Sequence, residues 1–298
     1  MLRTIRLTLA VIFFAFITLL FLDFTGTLHA WFGWMAKIQF LPAVLALNIG
    51  VVLFLAVLTL VFGRIYCSVI CPLGVFQDIV SWLSAKRKKN RFRYSPVLKW
   101  LRYGVLGVFV LAIIDGLNSF VVLLAPYSSY GRIVFSLFSP LYQWANNGLA
   151  YLAERADSYA FYETDVWMKS LPTLLIATVT LVVLIVLAWR GGRTYCNTIC
   201  PVGTVLGFLS KYSLLKPVID TKKCNNCGLC ARNCKASCIN IKAHEIDYSR
   251  CVACMDCINK CRKGAITYTR RKSASAAVSQ DSPVAPEQVN DARRAFLS

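Results

Sequence analysis

Four long runs of apolar residues constrain the fold of this chain more than any other feature of its sequence. Runs of about 20 apolar residues are long enough to cross the hydrocarbon core of a bilayer as helices. With 57% of its residues hydrophobic and 16% charged, the chain lacks the composition of an ordinary soluble enzyme. The sequence therefore predicts an α-helical integral membrane protein with four transmembrane helices. These are predicted at residues 7–22, 41–62, 100–114 and 171–189, the third being followed by a short apolar stretch at 120–125.

The distribution of basic residues predicts the orientation of these spans. Residues 63–99, between the second and third spans, carry eight Lys and Arg against the single acid Asp78, and the region after the fourth span is basic again. Because Lys and Arg collect in cytoplasmic loops, we expect both termini and the 63–99 loop on the cytoplasmic side of a bacterial inner membrane. A cleaved signal peptide ending near Ala30 is the alternative for the first span, and it leaves the later spans unchanged.

A twelve-residue block occurs twice, once after the second predicted span and once after the fourth. Residues 63–74 return as residues 192–203 in the pattern G-R-x-Y-C-x-x-x-C-P-x-G, at an offset of 129. We therefore expect two tandem two-helix halves, about residues 1–90 and 97–210. Because both halves run in the same direction, their pseudo-two-fold axis is expected along the membrane normal.

Each copy of the block contributes two cysteines spaced four residues apart. On a helix such positions face the same side, and the proline after the second cysteine begins a new helix or turn. If the two pairs meet on the two-fold axis, four thiolates suit an iron–sulfur cluster, another tetrahedral metal site or a pair of redox-active disulfides. Buried apolar cysteines without a ligand are the remaining alternative. The four residues are Cys67, Cys71, Cys196 and Cys200.

Eight further cysteines follow the last span in two runs of the pattern C-x2-C-x2-C-x3-C. This is the spacing of two-cluster bacterial ferredoxins, in which the fourth cysteine of each run binds the cluster of the other run. It predicts a small α+β domain with two 4Fe–4S clusters, whereas structural zinc sites use two separated cysteine pairs. The remaining cysteine, Cys238, is expected to pack as a small apolar residue near a cluster, with a ligand role as the alternative. One cluster is assigned to Cys224, Cys227, Cys230 and Cys261, and the other to Cys251, Cys254, Cys257 and Cys234.

The charge of this predicted domain, residues 211–272, points to the membrane surface. It carries 14 Lys and Arg against four acids. We interpret this excess as positive-inside charge that also contacts anionic lipid headgroups and raises the potentials of nearby clusters. No groove-reading motif accompanies it, so a nucleic acid partner is not expected. The Ala- and Ser-rich residues 273–298 predict a disordered tail.

Over residues 1–270 the sequence resembles the NapH-type membrane quinol-dehydrogenase subunits of periplasmic nitrate reductase systems, and it is similar to the core of the NosR-type and MauN-type proteins. The paired C-x-x-x-C-P blocks are the specific part of this resemblance. The resemblance implies electron transfer between the membrane quinone pool and a periplasmic partner. That partner is expected to be an iron–sulfur protein, a c-type cytochrome or a flavoprotein.

The expected mechanism is oxidation of quinol among the spans, with single electrons passing to the cysteine-bound centres. Asp23 and Asp115, at the ends of the first and third spans, are the candidate proton acceptors, with ordinary helix-end carboxylates as the simpler interpretation. Tyr66 and Tyr195 precede the two cysteine pairs, where they could bond a quinone or a cluster sulfur, or anchor the chain at the interface. Two alternatives stay open: a quinone-independent conduit from a cytoplasmic donor to an extracytoplasmic flavoprotein, and electron supply for maturation of another metalloenzyme.

Overall fold

The structure is a computed structural model of the chain, and it is mainly helical. The predicted tail at 273–298 and parts of the two longer predicted loops lie outside the described residues. The described residues are 2–23, 26–87, 92–155, 162–164 and 171–270.

A helical part is followed by a small region with two antiparallel strand pairs. The first helices are α1 (Leu2–Leu22), α2 (Thr27–Phe32), α3 (Trp34–Lys37), α4 (Phe40–Leu45), α5 (Ile49–Phe62), α6 (Tyr66–Val69), α7 (Pro72–Arg87) and α8 (Lys99–Ile114). They continue with α9 (Asn118–Leu124), α10 (Pro126–Ile133), a π-helical turn (Val134–Phe138), α11 (Ser139–Glu154), α12 (Leu171–Gly191), α13 (Thr194–Thr198) and α14 (Pro201–Ser210). The last elements are β1 (Leu215–Ile219), α15 (Leu229–Arg232), β2 (Ile239–Asn240), β3 (Glu245–Ile246), α16 (Asp256–Lys260) and β4 (Ile266–Arg270).

Two helices, α1 and α12, have the length and composition of membrane spans. Each has 21 residues, which makes it about 32 Å long and matches a hydrocarbon core of about 30 Å. They include the predicted spans 7–22 and 171–189 in full. The prediction of a helical membrane protein is therefore confirmed, with two candidate spans at these positions.

The predicted span 41–62 is not one helix. The chain turns between α4 and α5, where Leu47 has a φ of 51° and the side chain of Asn48 accepts a hydrogen bond from the backbone N–H of Val51 at 3.4 Å. This cap begins α5, whose 14 residues extend about 21 Å, less than the hydrocarbon core. A capping side chain starts a new helix however apolar its neighbours are, and this corrects the continuous helix that hydropathy predicts.

The third predicted span is also interrupted. Helix α8 ends at Ile114, and Gly116 follows with a left-handed φ of 71°, as is common where helices end. Most of the stretch 120–125 belongs to the separate short helix α9, which ends at Leu124 and meets the helical segment Pro126–Glu154 at an angle of 81°. If this bent pair is one span, the described part of the chain holds up to three spans. The count of four stays a prediction.

The small carboxyl-terminal region is an α+β unit that packs on the helical part. Strand β1 pairs antiparallel with β4, and β2 pairs with β3. The backbone N–H of Leu214 donates to the carbonyl of Leu60 at 2.7 Å, and the hydroxyl of Tyr268 donates to the carbonyl of Phe62 at 2.7 Å. The end of α5 is thereby fixed to both strands of the first pair.

A buried network of ion pairs also joins the two parts. Asp78 of α7 is its centre, and its partners are Arg193 at 2.8 Å, Arg6 at 3.3 Å and Lys235 at 3.7 Å. Lys235 also lies 3.2 Å from Asp256 of α16. Burial alone raises the pKa of Asp78, but the positive charges of Arg193 and Lys235 hold that pKa well below its usual range. The network therefore favours the ionised carboxylate.

Replacement Asp78→Asn is expected to lower the free energy of unfolding by about 3–5 kcal/mol, because it leaves a buried guanidinium without its counter-charge. Since the folded pKa of Asp78 is depressed, its contribution to stability is complete above its unfolded pKa of about 3.9 and is lost as the pH falls through the lower folded value. Denaturant unfolding in detergent measures both effects. The exposed acid Asp115 provides the control Asp115→Asn, expected to change stability by less than about 0.5 kcal/mol. Equal losses in the two variants would contradict the network.

A second expectation concerns Gly192, which has a φ of 68° and whose added Cβ would contact the carbonyl oxygen of Lys235. Gly192→Ala is expected to destabilise the protein by more than the roughly 1–2 kcal/mol of a left-handed backbone alone. Gly104 lies in α8 with open space around its Cβ position, so Gly104→Ala is expected to raise stability by about 0.5–1 kcal/mol. Thermal unfolding measures the melting temperatures of the two variants. Similar values would exclude the close approach of Gly192 to the carbonyl oxygen of Lys235.

Candidate functional site

The predicted ligands of the first ferredoxin cluster line one cavity, here called the first ferredoxin site. Cys224, Cys227, Cys230 and Cys261 surround a space of about 320 Å³ whose other walls include apolar side chains such as Ile241. Pairing of β1 with β4 brings Cys261, which precedes β4, back to the cysteine triplet. Four sulfur donors around an apolar space fit an iron–sulfur cluster.

The predicted ligands of the other cluster, Cys234, Cys251, Cys254 and Cys257, line a smaller cavity, the second ferredoxin site. Cys238 lines it too, almost fully buried, with its Sγ 3.5 Å from the Sγ of Cys234. It thus lies where the sequence predicts a small apolar residue near a cluster. The spacing pattern does not include Cys238, so its contact with the sulfur of Cys234 could not be predicted from that pattern.

The two cysteine runs share an unusual backbone. Asn226 and Gly228 of the first run have φ values of 54° and 69°, and the equivalent Ala253 and Met255 of the second run have 49° and 60°. Left-handed residues that alternate with others turn successive backbone N–H groups to one side, which forms a concavity for anions in many iron–sulfur sites. The backbone of both runs therefore fits an anionic cluster.

The four cysteines of the duplicated block form a third group, here called the four-thiol site. Cys67 and Cys196 lie within α6 and α13, whereas Cys71 and Cys200 immediately precede α7 and α14. The expectation that each pair shares one face of one helix is wrong, because the helix ends between the two cysteines and proline begins the next one. The pairs converge nevertheless: beyond burial, charge on the Cys196 and Cys67 thiols raises the pKa of Cys71, and charge on Cys196, Cys71 and Cys67 raises the pKa of Cys200.

The environment of these thiols is dry. All four are nearly fully buried, and burial is the largest cause that raises the pKa of Cys196 to about 11. A buried thiol of this kind is deprotonated when a metal centre coordinates it. The Nε2 of Gln77 lies 3.4 Å from the Sγ of Cys196, and the backbone N–H of Gly203 lies 3.4 Å from the Sγ of Cys200. Within the described ranges, no group of three or more His, Cys, Asp or Glu forms a site for a single metal ion.

The arginines of the two blocks, Arg64 and Arg193, bind across the interface. Arg64 Nη2 donates to the carbonyl of Cys196 at 3.2 Å, and Arg193 Nη1 donates to the carbonyl of Cys67. Both arginines are fully buried. Each block therefore supplies the arginine that holds the first cysteine of the other block.

The last glycine of each block makes room for this exchange. A Cβ on Gly74 would contact both the carbonyl oxygen of Cys67 and the guanidinium of Arg193. A Cβ on Gly203 would likewise contact the carbonyl oxygen of Cys196 and the guanidinium of Arg64. The arginine and the last glycine of the pattern G-R-x-Y-C-x-x-x-C-P-x-G thus allow the two copies of the block to pack closely together. The pattern therefore specifies this packing in addition to the two cysteines.

The two arginines differ in their other acceptors. Arg193 Nε donates to the carboxylate of Asp78 at 2.9 Å. Arg64 instead donates to neutral acceptors, among them the carbonyl of Ser249 at 3.1 Å. Arg102 of α8 shares that acceptor, with its Nη2 also 3.1 Å from the Ser249 carbonyl. Of the two arginines that hold the four-thiol site, Arg193 therefore has a carboxylate as its partner and Arg64 does not.

Sequence reasoning did not single out these charged residues. Arg64 and Arg193 occupy the same position in both copies of the block, and that recurrence is the signal that points to them. Asp78 stands alone among the basic residues of the 63–99 loop. Arg102 has no comparable signal, because its acceptors come from distant parts of the chain.

The candidate tyrosines hold protein segments together. The hydroxyl of Tyr66 donates to Oε1 of Gln39 at 2.9 Å, and the hydroxyl of Tyr195 donates to the carbonyl of Leu124 at 3.2 Å. Both side chains are buried, and their hydroxyl groups bond to protein acceptors; the roles predicted for them stay predictions. Tyr66 thereby connects its cysteine block to the residue before α4, and Tyr195 connects its block to the end of α9.

The candidate acids lie at helix ends. Asp115 is exposed at the carboxyl-terminal cap of α8, because that helix does not continue into the stretch 120–125. Asp23 accepts hydrogen bonds from the backbone N–H groups of Gly26 at 3.0 Å and His29 at 2.9 Å, at the start of α2. The structure thus favours the interpretation of Asp23 and Asp115 as ordinary carboxylates at helix ends.

A family model described as a 4Fe-4S binding domain matches the chain twice, at residues 44–91 and 171–221. Each matched segment contains one C-x-x-x-C-P block, and neither reaches the ferredoxin-type run that begins at Cys224. Iron–sulfur binding is thereby associated with the segments that supply the four-thiol site. No solved structure matches the chain.

Several curated proteins are similar to the chain. The ferredoxin-type protein NapH of Haemophilus influenzae is 28% identical over 230 residues, 74% of this chain and 66% of NapH. The putative electron transport protein YccM of Escherichia coli is 24% identical over 79% of this chain and 59% of its own length. The methylamine utilization ferredoxin-type protein MauN of Methylobacillus flagellatus is 24% identical over 68% of this chain and 61% of its own. The chain thus spans less than two thirds of each of these relatives. With its membrane helices and iron–sulfur family match, the chain is similar to the NapH- and MauN-type ferredoxin membrane proteins, which supports an iron–sulfur electron-transfer role.

Proposed function

We propose that the protein takes electrons from quinol in a bacterial inner membrane and passes them to a periplasmic redox partner. The observation that carries this proposal is the contact between the segment of the second cysteine block and the segment that follows Cys234 of the second ferredoxin site. The backbone N–H of Arg193 donates to the carbonyl of Lys235 at 2.8 Å, and Nδ2 of Asn197 donates to the carbonyl of Ala236 at 3.3 Å. Both acceptors directly follow Cys234, so the two sulfur groups belong to neighbouring segments.

The proposed cofactors are three 4Fe–4S clusters, one at each ferredoxin site and one at the four-thiol site. The ferredoxin spacing and the anion-binding backbone support the first two, and the cavity of about 320 Å³ adds support at the first ferredoxin site. The duplicated family match and the convergence of four buried sulfurs support the third. Such clusters supply one-electron redox chemistry, which suits the stepwise oxidation of quinol.

The role proposed for Arg64 and Arg193 is electrostatic. Beyond burial, their positive charges lower the pKa of Cys196, which favours the thiolate that a cluster requires. A bound cluster with four thiolates is an anion, and nearby positive charge stabilises its reduced form. The two arginines therefore both align the cysteines through backbone carbonyls and favour acceptance of an electron.

The proposed orientation places both termini and the ferredoxin sites in the cytoplasm. The support is the excess of 14 basic over four acidic residues in 211–272, which resembles the charge of cytoplasmic segments. The same charge suits contact with anionic lipid at the membrane surface. In this orientation the quinone pool supplies the substrate within the bilayer, and an iron–sulfur protein, c-type cytochrome or flavoprotein receives electrons on the other side.

Replacement Cys67→Ser tests the third cluster. Iron content is expected to fall from about twelve to about eight atoms per chain, because one 4Fe–4S cluster loses a ligand. Cys238→Ser is the matched control, since Cys238 lies beside a cluster site without belonging to a ligand set, and its iron content is expected to stay at the wild-type value. Anaerobic iron and acid-labile sulfide analysis makes the measurement. About eight iron atoms per chain in the wild type and in both variants would contradict the proposal of a third cluster.

Anaerobic addition of a quinol analogue to the purified protein tests the electron donor. The visible absorption of the oxidised clusters is expected to bleach, and an EPR signal of reduced clusters is expected to appear. Dithionite serves as the control that reports all reducible clusters. Reduction by dithionite but by no quinol would contradict quinol oxidation and favour the quinone-independent conduit.

A further inference from the structure

A cavity of about 370 Å³ lies between α1 and α7, beside the ion-pair network; it is here called the lateral cavity. Arg6, Asp78 and Lys235 line it with charge, whereas residues such as Val11 and Trp82 line it with apolar surface. The lining thus changes along α1 from basic to apolar. A flat polar head with a hydrocarbon tail matches such a wall better than a wholly polar or wholly apolar ligand does.

The lateral cavity lies next to both kinds of sulfur site. Asp256, which also lines it, stands between two predicted ligands of the second ferredoxin site, Cys254 and Cys257. On the other side, Asp78 pairs with Arg193, whose guanidinium reaches the four-thiol site. A molecule in this cavity therefore touches a network that is connected to both sites.

The lining also offers the polar groups that a quinol needs. Arg6 lines the cavity, and its Nη1 and Nη2 both donate to Oδ2 of Asp78 at 3.3 Å. The carboxylates of Asp78 and Asp256 are acceptors for the hydroxyl groups of a quinol.

The outer edge of the lateral cavity is open to the apolar surface of the helical part. Val11 and Trp82 are 56% and 53% exposed, so a hydrocarbon tail has a way from the cavity to the surrounding lipid. A phospholipid headgroup fits less well, because two carboxylates line the cavity and the basic side chains already pair with them.

We infer that the lateral cavity is the quinol-binding site of this protein. The inference rests on the proposed function and identifies the place where the substrate of that function binds. Oxidation there breaks the two O–H bonds of quinol, leaves a quinone, and releases two electrons and two protons. The electrons go singly to the proposed clusters. The protons go to water at the side of Arg3, whose side chain is 45% exposed.

Photolabelling tests the site without depending on electron transfer. The full-length protein in detergent is irradiated with a short-chain azidoquinone, and labelled peptides are mapped by mass spectrometry. Label is expected in α1 and α7. Val11→Trp, which fills the cavity, is expected to reduce that labelling about tenfold, as overpacking of a binding site does. Ile12→Trp is the matched control, because Ile12 is similarly exposed on α1 but does not line the cavity.

The outcomes separate the site from the function. Label outside α1 and α7, or equal labelling of the two variants, overturns the inference. Competition by phosphatidylglycerol but not by unlabelled quinone also overturns it. If quinol reduces the clusters although one of these results is obtained, the proposed function is supported and quinol binds elsewhere on the protein. If α1 and α7 are labelled as expected but quinol reduces no cluster, the site is supported and the proposed function fails.

Discussion

The exchange of arginines between the two cysteine blocks is the interaction on which the rest of the structure depends. A guanidinium removed from water is tolerated only where carbonyl, amide or carboxylate oxygens replace its hydration. Arg64 and Arg193 are fully buried, and each finds such an oxygen on the first cysteine of the opposite block. Neither block can therefore satisfy its own arginine alone. The contact that meets this electrostatic requirement is also the one that brings the four thiols together.

Local spacing indicates which cysteines line the same cavity, because each set consists of a short segment and one cysteine of the other run. The two cavities are lined by these sets, and pairing of β1 with β4 returns Cys261 to the first one. The helix breaks at Asn48 and Gly116 could not be predicted from hydropathy, since an average over 20 residues conceals one capping side chain or one left-handed glycine. The role of Asp78 is hidden for another reason: its partners Arg6 and Arg193 lie 72 and 115 residues away.

The ferredoxin-type region is built into the helical part and is not a tethered module. Backbone hydrogen bonds connect it to α5 and to the second cysteine block, and Lys235 and Asp256 extend the ion pairs of α7 into it. A region held at several buried points keeps its distance to the other sulfur site constant. In the proposed function, electron transfer between the two sites would therefore take place at a fixed distance.

The two halves repeat the same twelve-residue pattern, yet a single carboxylate makes them electrically different. Where the first half has Asp78, the repeat offset places Gly207 in the second. Arg193 pairs with that carboxylate, whereas Arg64 and Arg102 take part in no ion pair within the ranges that the structure describes. The two arginines that hold the four-thiol site thus differ in their counter-charge, although the cysteines they hold occupy equivalent positions in the duplicated block. A block that supplies equivalent sulfur ligands therefore does not give them equivalent electrical surroundings.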